Sequence, residues 1–380
     1  MGKKYPFRNQ SLTIEERVND LLQRLTLDEK IKMLSTHHFA VERLGVDEFG
    51  VGLEIARGYV GREKEYFSTV FPQPIGMAST FDTELMERIG TVAGDETRAY
   101  FNRQRKHGLM VWGPTVDMER HPLWGRTEEA YGEDPCLTGE MTVAYTKGLA
   151  GIGDGVEAMK TIPTLKHFCA NNNEHKRGNS SSNLELRQRH EYYYSAFEPA
   201  ITRGGAYSIM TAYNELCHEP AVINKDVQTI LKDKWGLGYV VTDGGDFSQN
   251  VTDHKLFSTH SESIAKCLKS GADCMTDDSE LVHASAYKAL QQGLLTEKDI
   301  DKAVYNALDA RFRLGLFDEN CPYDSIGDDV IDCEKHREVN REAALKGVTL
   351  LKNDGLLPLD SSKKMKIAVI GSMADENLRD

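Results

Sequence analysis

The stretch Tyr239-Val240-Val241-Thr242-Asp243-Gly244-Gly245-Asp246 reads as an apolar strand that ends on a carboxylate and runs into two glycines. That ending leaves Asp243 at a strand tip beside bare backbone, with room for a ligand where side chains are missing. The same aspartate could instead cap the next helix. Lys166-His167 closes a second apolar run through Ile162 and Leu165, and supplies a fixed positive charge and a ring donor, groups that grip hydroxyls. Such a pair also suits an exposed surface. Asn171 to Gly178 is dense in hydrogen-bonding groups and reads as a loop near a polar ligand or a plain solvated loop. In GPTVDMERHPLWGRTEEAYGEDP, charges of both signs alternate with Trp124, Tyr131 and prolines. This suits a rigid loop fixed by internal ion pairs, with one arginine turned to a ligand. None of the twelve histidines falls in HxH or HExxH, so no metal is expected. GxGxxG and GxxxxGK[ST] are also absent, so no cofactor is expected.

The elements that must position these groups alternate in type. Strand patterns at Val51 to Ile55, Leu109 to Val116, Thr161 to His167, Ala206 to Ala212, Tyr239 to Thr242 and Asp273 to Met275 are separated by helical patterns. The helices are expected at Thr83 to Phe101, Leu184 to Ile201, Asp226 to Lys234, Ser261 to Lys269, Leu281 to Gln291 and Glu297 to Leu314, after a pair of short entry helices between Ser11 and Leu34. Repeated βα units imply an α/β fold with a parallel sheet. Glu54, Asp117, Lys166-His167, Tyr213-Asn214, Asp243 and Asp277-Asp278 each fall at or just past the carboxyl end of a strand. A TIM-like (β/α)8 barrel would aim all of them at one face and is preferred to an open doubly wound sheet, which gathers such residues near one switch point. The expected domains are a barrel over 1–317, a linker and connecting helix over 318–347, and the start of an α/β sandwich over 348–380, incomplete in this chain. Strands are expected there at Val348 to Leu351 and Lys366 to Gly371, and one strand cannot bury itself.

A formal net charge of -13 opposes binding to phosphate backbones or anionic lipid, so neither nucleic acid nor membrane is an expected partner. No apolar run approaches the roughly 20 residues of a membrane span. The amino-terminal lysines are followed by no apolar region, and a cytoplasmic location is expected. Seven scattered cysteines without a CxxC pair predict reduced thiols.

With these segments in hand, the chain resembles glycoside hydrolase family 3 over nearly its whole length. The resemblance runs in order through RVNDLLQRLTLDEKIKML, TVFPQPIGMASTFDTELM, VDMERHPLWGRTEEAYGEDPCLTGEM, KHFCANNNEH, SIMTAYNE, WGLGYVVTDGGD, TEKDIDKAVYNALDARFRLGLFD and NREAALKGVTLLKNDGLLPL. It implies a barrel followed by an α/β sandwich, and a retaining exo-β-glycosidase acting on terminal β-D-glucosides or β-D-xylosides. Asp243 matches the nucleophile that forms the glycosyl-enzyme. Arg126, Lys166, His167, Met210 and Tyr213 match the sugar-binding wall, and Glu54 matches a glutamate that holds sugar hydroxyls. Gly244 stands where the family usually has Trp or Cys, and Arg57 where it has His. The resemblance puts the acid/base glutamate in the second domain. The implied ligand is a small-molecule or oligosaccharide β-glycoside, and a homo-oligomer is left open. Two other readings are a catalytically impaired sugar-binding barrel lacking its acid/base domain, and a metal-dependent barrel hydrolase.

Overall fold

The computed structural model describes residues 5–61, 67–105, 108–371 and 374. Two units separate, Met1–Gly347 and Val348–Asp380. In the first, Thr13 and Thr26 each close a capping box with the glutamate three residues on, and so start the entry helices α1 (Ile14–Arg24) and α2 (Leu27–Ile31). A two-residue strand, β1 (His37–His38), pairs antiparallel with β2 (Phe49–Gly50).

The helices α3 (Pro74–Ala78), α4 (Thr83–Gln104) and α5 (Pro135–Ala150) flank β3 (Met110–Thr115). Then come β4 (Ile162–Phe168), β5 (Ser181–Ser182), α6 (Leu186–Gln188), α7 (Ser195–Thr202), β6 (Ser208–Thr211), β7 (Glu215–Leu216), β8 (Glu219–Pro220) and β9 (Tyr239–Val241). The helices α8 (Asp246–Thr252), α9 (His260–Ser270), α10 (Ser279–Gln291), α11 (Glu297–Arg313) and α12 (Glu334–Lys346) complete the unit.

The central sheet is parallel in the order β3-β4-β6-β9, with Met110 beside Ile162, Thr164 beside Ser208 and Ser208 beside Tyr239. Single bridges extend it on both sides: Glu54 pairs with Trp112, Val241 with Cys274 and Met275 with Ser35. In the chain β1 follows the Ser35 segment and β2 precedes the Glu54 segment, and β1 and β2 pair with each other. Every residue of β4 is buried, as expected of a parallel strand covered on both faces.

Two joints hold this frame. Gly90 of α4 and Gly148 of α5 let the helices touch: a Cβ at Gly148 would lie 2.1 Å from the Glu87 carbonyl oxygen, and one at Gly90 2.2 Å from that of Tyr145. Glu96 on α4, fully buried, accepts from the Thr69 amide and hydroxyl, the Asp332 amide and His336 Nδ1 at 2.7 to 3.0 Å. The stretch 318–347, expected as linker and connecting helix, thus ends in α12, packed against α3 and α4 within the first unit.

The other strand patterns of the first unit match observed strands to within a few residues, but Val51 to Ile55 and Asp273 to Met275 contribute only isolated bridges. Between Leu184 and Ile201 the expected helix divides, with a wider π-turn over Arg189–Tyr194 separating α6 from α7. The expected helix at Asp226 is a π-turn over Val227–Lys232. In the second unit neither Val348 to Leu351 nor Lys366 to Gly371 forms a strand. Ile367, Val369 and Ile370 are exposed, because an apolar strand with no neighbour has no ladder to join. Among the described residues no helix is long and apolar enough to cross a membrane, and all seven cysteines are free.

Candidate active site

Strand β9 delivers Thr242 and Asp243 into a tight turn. The Asp246 amide donates to the Asp243 carbonyl at 3.0 Å, the Gly245 amide to that of Thr276 at 2.9 Å, and Gly245 takes φ +83°, a conformation that favours glycine. The capping alternative for Asp243 does not occur: Gly245 occupies the N-cap of α8, without a side-chain cap. Asp243 Oδ1 accepts from the Gly244 amide at 2.7 Å, while Oδ2 is buried with no hydrogen-bond partner.

His167 Nε2 is 3.7 Å from that oxygen. Its Nδ1 is held at 2.7 Å by Asp117 Oδ2, which also accepts the His167 amide, so the carboxylate fixes the ring's orientation. Lys166, next on the strand, is buried and reaches Glu54 Oε2 at 2.7 Å. Arg126 makes a bidentate pair with Glu129 at 2.6 Å on both arms. Burial works against the Glu129 charge, but Arg126, with Lys166 and His167 nearby, brings the carboxyl below its usual range. Tyr213 donates its hydroxyl to the Gly244 carbonyl at 2.7 Å and carries the Arg177 guanidinium 4.6 Å from its ring centroid. Burial, then the Asp243 charge, pushes the Tyr213 hydroxyl up. Glu174 ties this wall together, accepting from Trp124 Nε1 at 3.0 Å and Arg177 at 2.9 Å.

The structure therefore gathers Asp243, His167 and Tyr213 directly, with Lys166–Glu54 and Arg126–Glu129 adjoining. It does not bring Met210 into this polar group: that side chain packs among Met110, Ile162, Tyr239, Val241 and Cys274. Gly244 is not a glycine for want of space, since a Cβ there would meet nothing nearer than the Tyr213 hydroxyl at 3.5 Å.

Two carboxyls behind Asp243 carried no assignment from the sequence. Asp246, wholly buried, accepts from Thr211 at 2.6 Å; burial raises it well above the carboxylate range against that bond, and Asp243 and Asp277 add to the rise. Asp277 accepts from Ser248 at 2.6 Å and is pushed by burial up to about 6. Asp246 lies inside the Asp-Gly-Gly-Asp motif and Asp277 at a strand end, so position was the available signal; burial was not. Among the described residues no group of three His, Cys, Asp or Glu side chains is placed to hold a metal ion.

A strand-tip carboxylate with one unengaged oxygen, faced by a carboxylate-anchored imidazole and flanked by ion pairs, forms a polar site on a parallel α/β frame. The chain belongs to glycosyl hydrolase family 3: residues 20–309 match the family's N terminal domain. A beta-xylosidase/alpha-L-arabinofuranosidase 1 of Medicago sativa subsp. varia is 33% identical over 98% of this chain and 50% of its own length. A xylan 1,4-beta-xylosidase of Xylanibacter ruminicola is 32% identical over 97% of this chain and 44% of its own. Among solved structures, a GH3 exo-beta-xylosidase in complex with a xylobiose aziridine activity-based probe superposes with a TM-score of 0.87 at 29% identity, over 94% of this chain and 48% of that one. Beta-glucosidase 3B from Thermotoga neapolitana, in complex with glucose, gives 0.75 at 28%, over 90% and 48%. The chain spans about half the length of the curated relatives it matches.

Proposed function

We propose that this chain supplies the nucleophile domain of a retaining exo-β-glycosidase acting on terminal β-D-xylosides or β-D-glucosides, with the sheet closed as a TIM-like barrel. The circuit of strand pairings supports the barrel. One observation carries the chemistry: Asp243 Oδ2 is sheltered and unbonded, and lies beside His167. In this reading Oδ2 attacks the anomeric carbon and the bond to the aglycone oxygen breaks. That oxygen takes a proton from a second carboxyl, which the family resemblance places in the domain after the barrel. Water then gives a proton back to that second carboxylate and attacks the same carbon, the bond to Asp243 Oδ2 breaks, and the sugar leaves with its configuration retained. His167 and Tyr213 hold the nucleophile's surroundings, and Lys166, Glu54 and Arg126 bind sugar hydroxyls.

The test uses an aryl β-xyloside and an aryl β-glucoside whose leaving groups need little protonation, with azide as the second nucleophile. It is run on this chain and on one extended through a second domain. A burst of aglycone and formation of a β-glycosyl azide are expected from the native sequence. Sugar binding without burst or azide product, in both forms, would overturn the reading in favour of a sugar-binding barrel.

A further inference from the structure

We infer that His254 is a positioning residue for the Asp243 reaction, its ring bridging a carboxylate and a backbone carbonyl. The inference rests on the proposed role of Asp243. His254 follows α8, the helix that begins at the Asp243 turn, and its side chain is 1% exposed. Its Nδ1 lies 3.2 Å from Glu215 Oε1 on β7, and its Nε2 lies 3.1 Å from the Tyr213 carbonyl oxygen. A carbonyl oxygen only accepts, and an ionised carboxylate only accepts. The Tyr213 carbonyl therefore takes its hydrogen bond from Nε2–H, and the Nδ1–Glu215 contact holds one further proton between ring and carboxylate.

The consequence lies in what the Tyr213 backbone carries. The Tyr213 hydroxyl donates to the Gly244 carbonyl at 2.7 Å, and the Gly244 amide donates to Asp243 Oδ1 at 2.7 Å. Arg177 lies over the Tyr213 ring. His254 therefore pins the root of Tyr213, and Tyr213 pins the peptide that orients the nucleophile. Without that pin the β6–β7 connection can shift relative to the Asp243 turn, and small misplacements at a reacting atom are costly.

The experiment has two arms on the full chain. In the first, nitrogen-15 histidine spectra, assigned by the signal missing from His254→Gln, are expected to show Nε2 of His254 carrying a proton. An Nε2 without its proton overturns the inference whatever the activity. In the second, azide-trapping kinetics on an aryl β-xyloside compare His254→Leu, His254→Gln and Glu215→Gln. His254→Leu should lower kcat by about 10- to 100-fold with KM within about twofold. His254→Gln, which keeps one donor for the carbonyl, should recover most of that loss. Should His254→Leu fail to fold, His254→Gln and Glu215→Gln, each expected to lose several-fold in kcat, decide the matter. Folded variants with native kcat, or a loss confined to KM, would overturn the inference. Absence of any azide product from the native chain would instead remove the Asp243 reading, leaving the spectra to decide the ring's bonding.

Discussion

Replacing Asp243 by asparagine keeps its shape and its bond from the Gly244 amide while removing the charge. Turnover of an aryl glycoside should fall by at least about 10³-fold with the melting temperature nearly unchanged. Lys166→Met removes a buried ammonium from Glu54, and should raise KM by about 10- to 100-fold, the cost of a charged hydrogen bond to substrate. Asp277 makes a prediction about stability. Burial raises its carboxyl from the ordinary 3.8 to about 6. A folded value above the unfolded one stabilises below pH about 4, and that contribution is lost as pH rises through about 6. Asp277→Asn should therefore stabilise the protein at pH 7.5 by roughly 1 to 3 kcal/mol and give no gain at pH 4, read from denaturant midpoints. At this scale Lys166, His167 and Asp243 could be expected to meet because they end strands of one parallel sheet, β4 and β9, with only β6 between them. The hold of Asp117 on His167 and the pairing of Glu215 with His254 could not, because they depend on loop paths that periodicity does not encode.

Among the elements, the strands were legible where apolar runs end in polar residues, since a strand covered on both faces reads as an unbroken apolar stretch. Helix α5, Pro135–Ala150, was missed for a related reason. It is buried on nearly every side, so its threonines, glycines and alanines show no polar face to set a period. The π-turns at Arg189–Tyr194 and Val227–Lys232 leave no mark in residue spacing. The contact between α4 and α5 is testable directly. Gly148→Ala would place a methyl against the Glu87 carbonyl and the Thr91 amide of α4. It should destabilise by about 1 to 3 kcal/mol or more, seen as a lower urea midpoint with unchanged slope.

For the whole molecule, alternation of βα units was enough to expect a parallel sheet, yet the antiparallel β1–β2 pair, two residues a side, is too short to leave a strand signature. The apolar pattern at Lys366 to Gly371 shows the reverse case, a strand-like sequence that finds no ladder among the described residues.

The Glu96 carboxylate joins α4 to residues far apart in the chain, and this links their fates on a slow clock. The Thr69 and Asp332 amide hydrogens both end on that one group. Neither can reach solvent by simple fraying unless its share of a buried anion is given up. In deuterated buffer the two should therefore exchange at closely matched rates, slower than neighbouring loop amides. In Glu96→Gln both should quicken together, because the chain at Thr69 and the residues just before α12 share that one anchor.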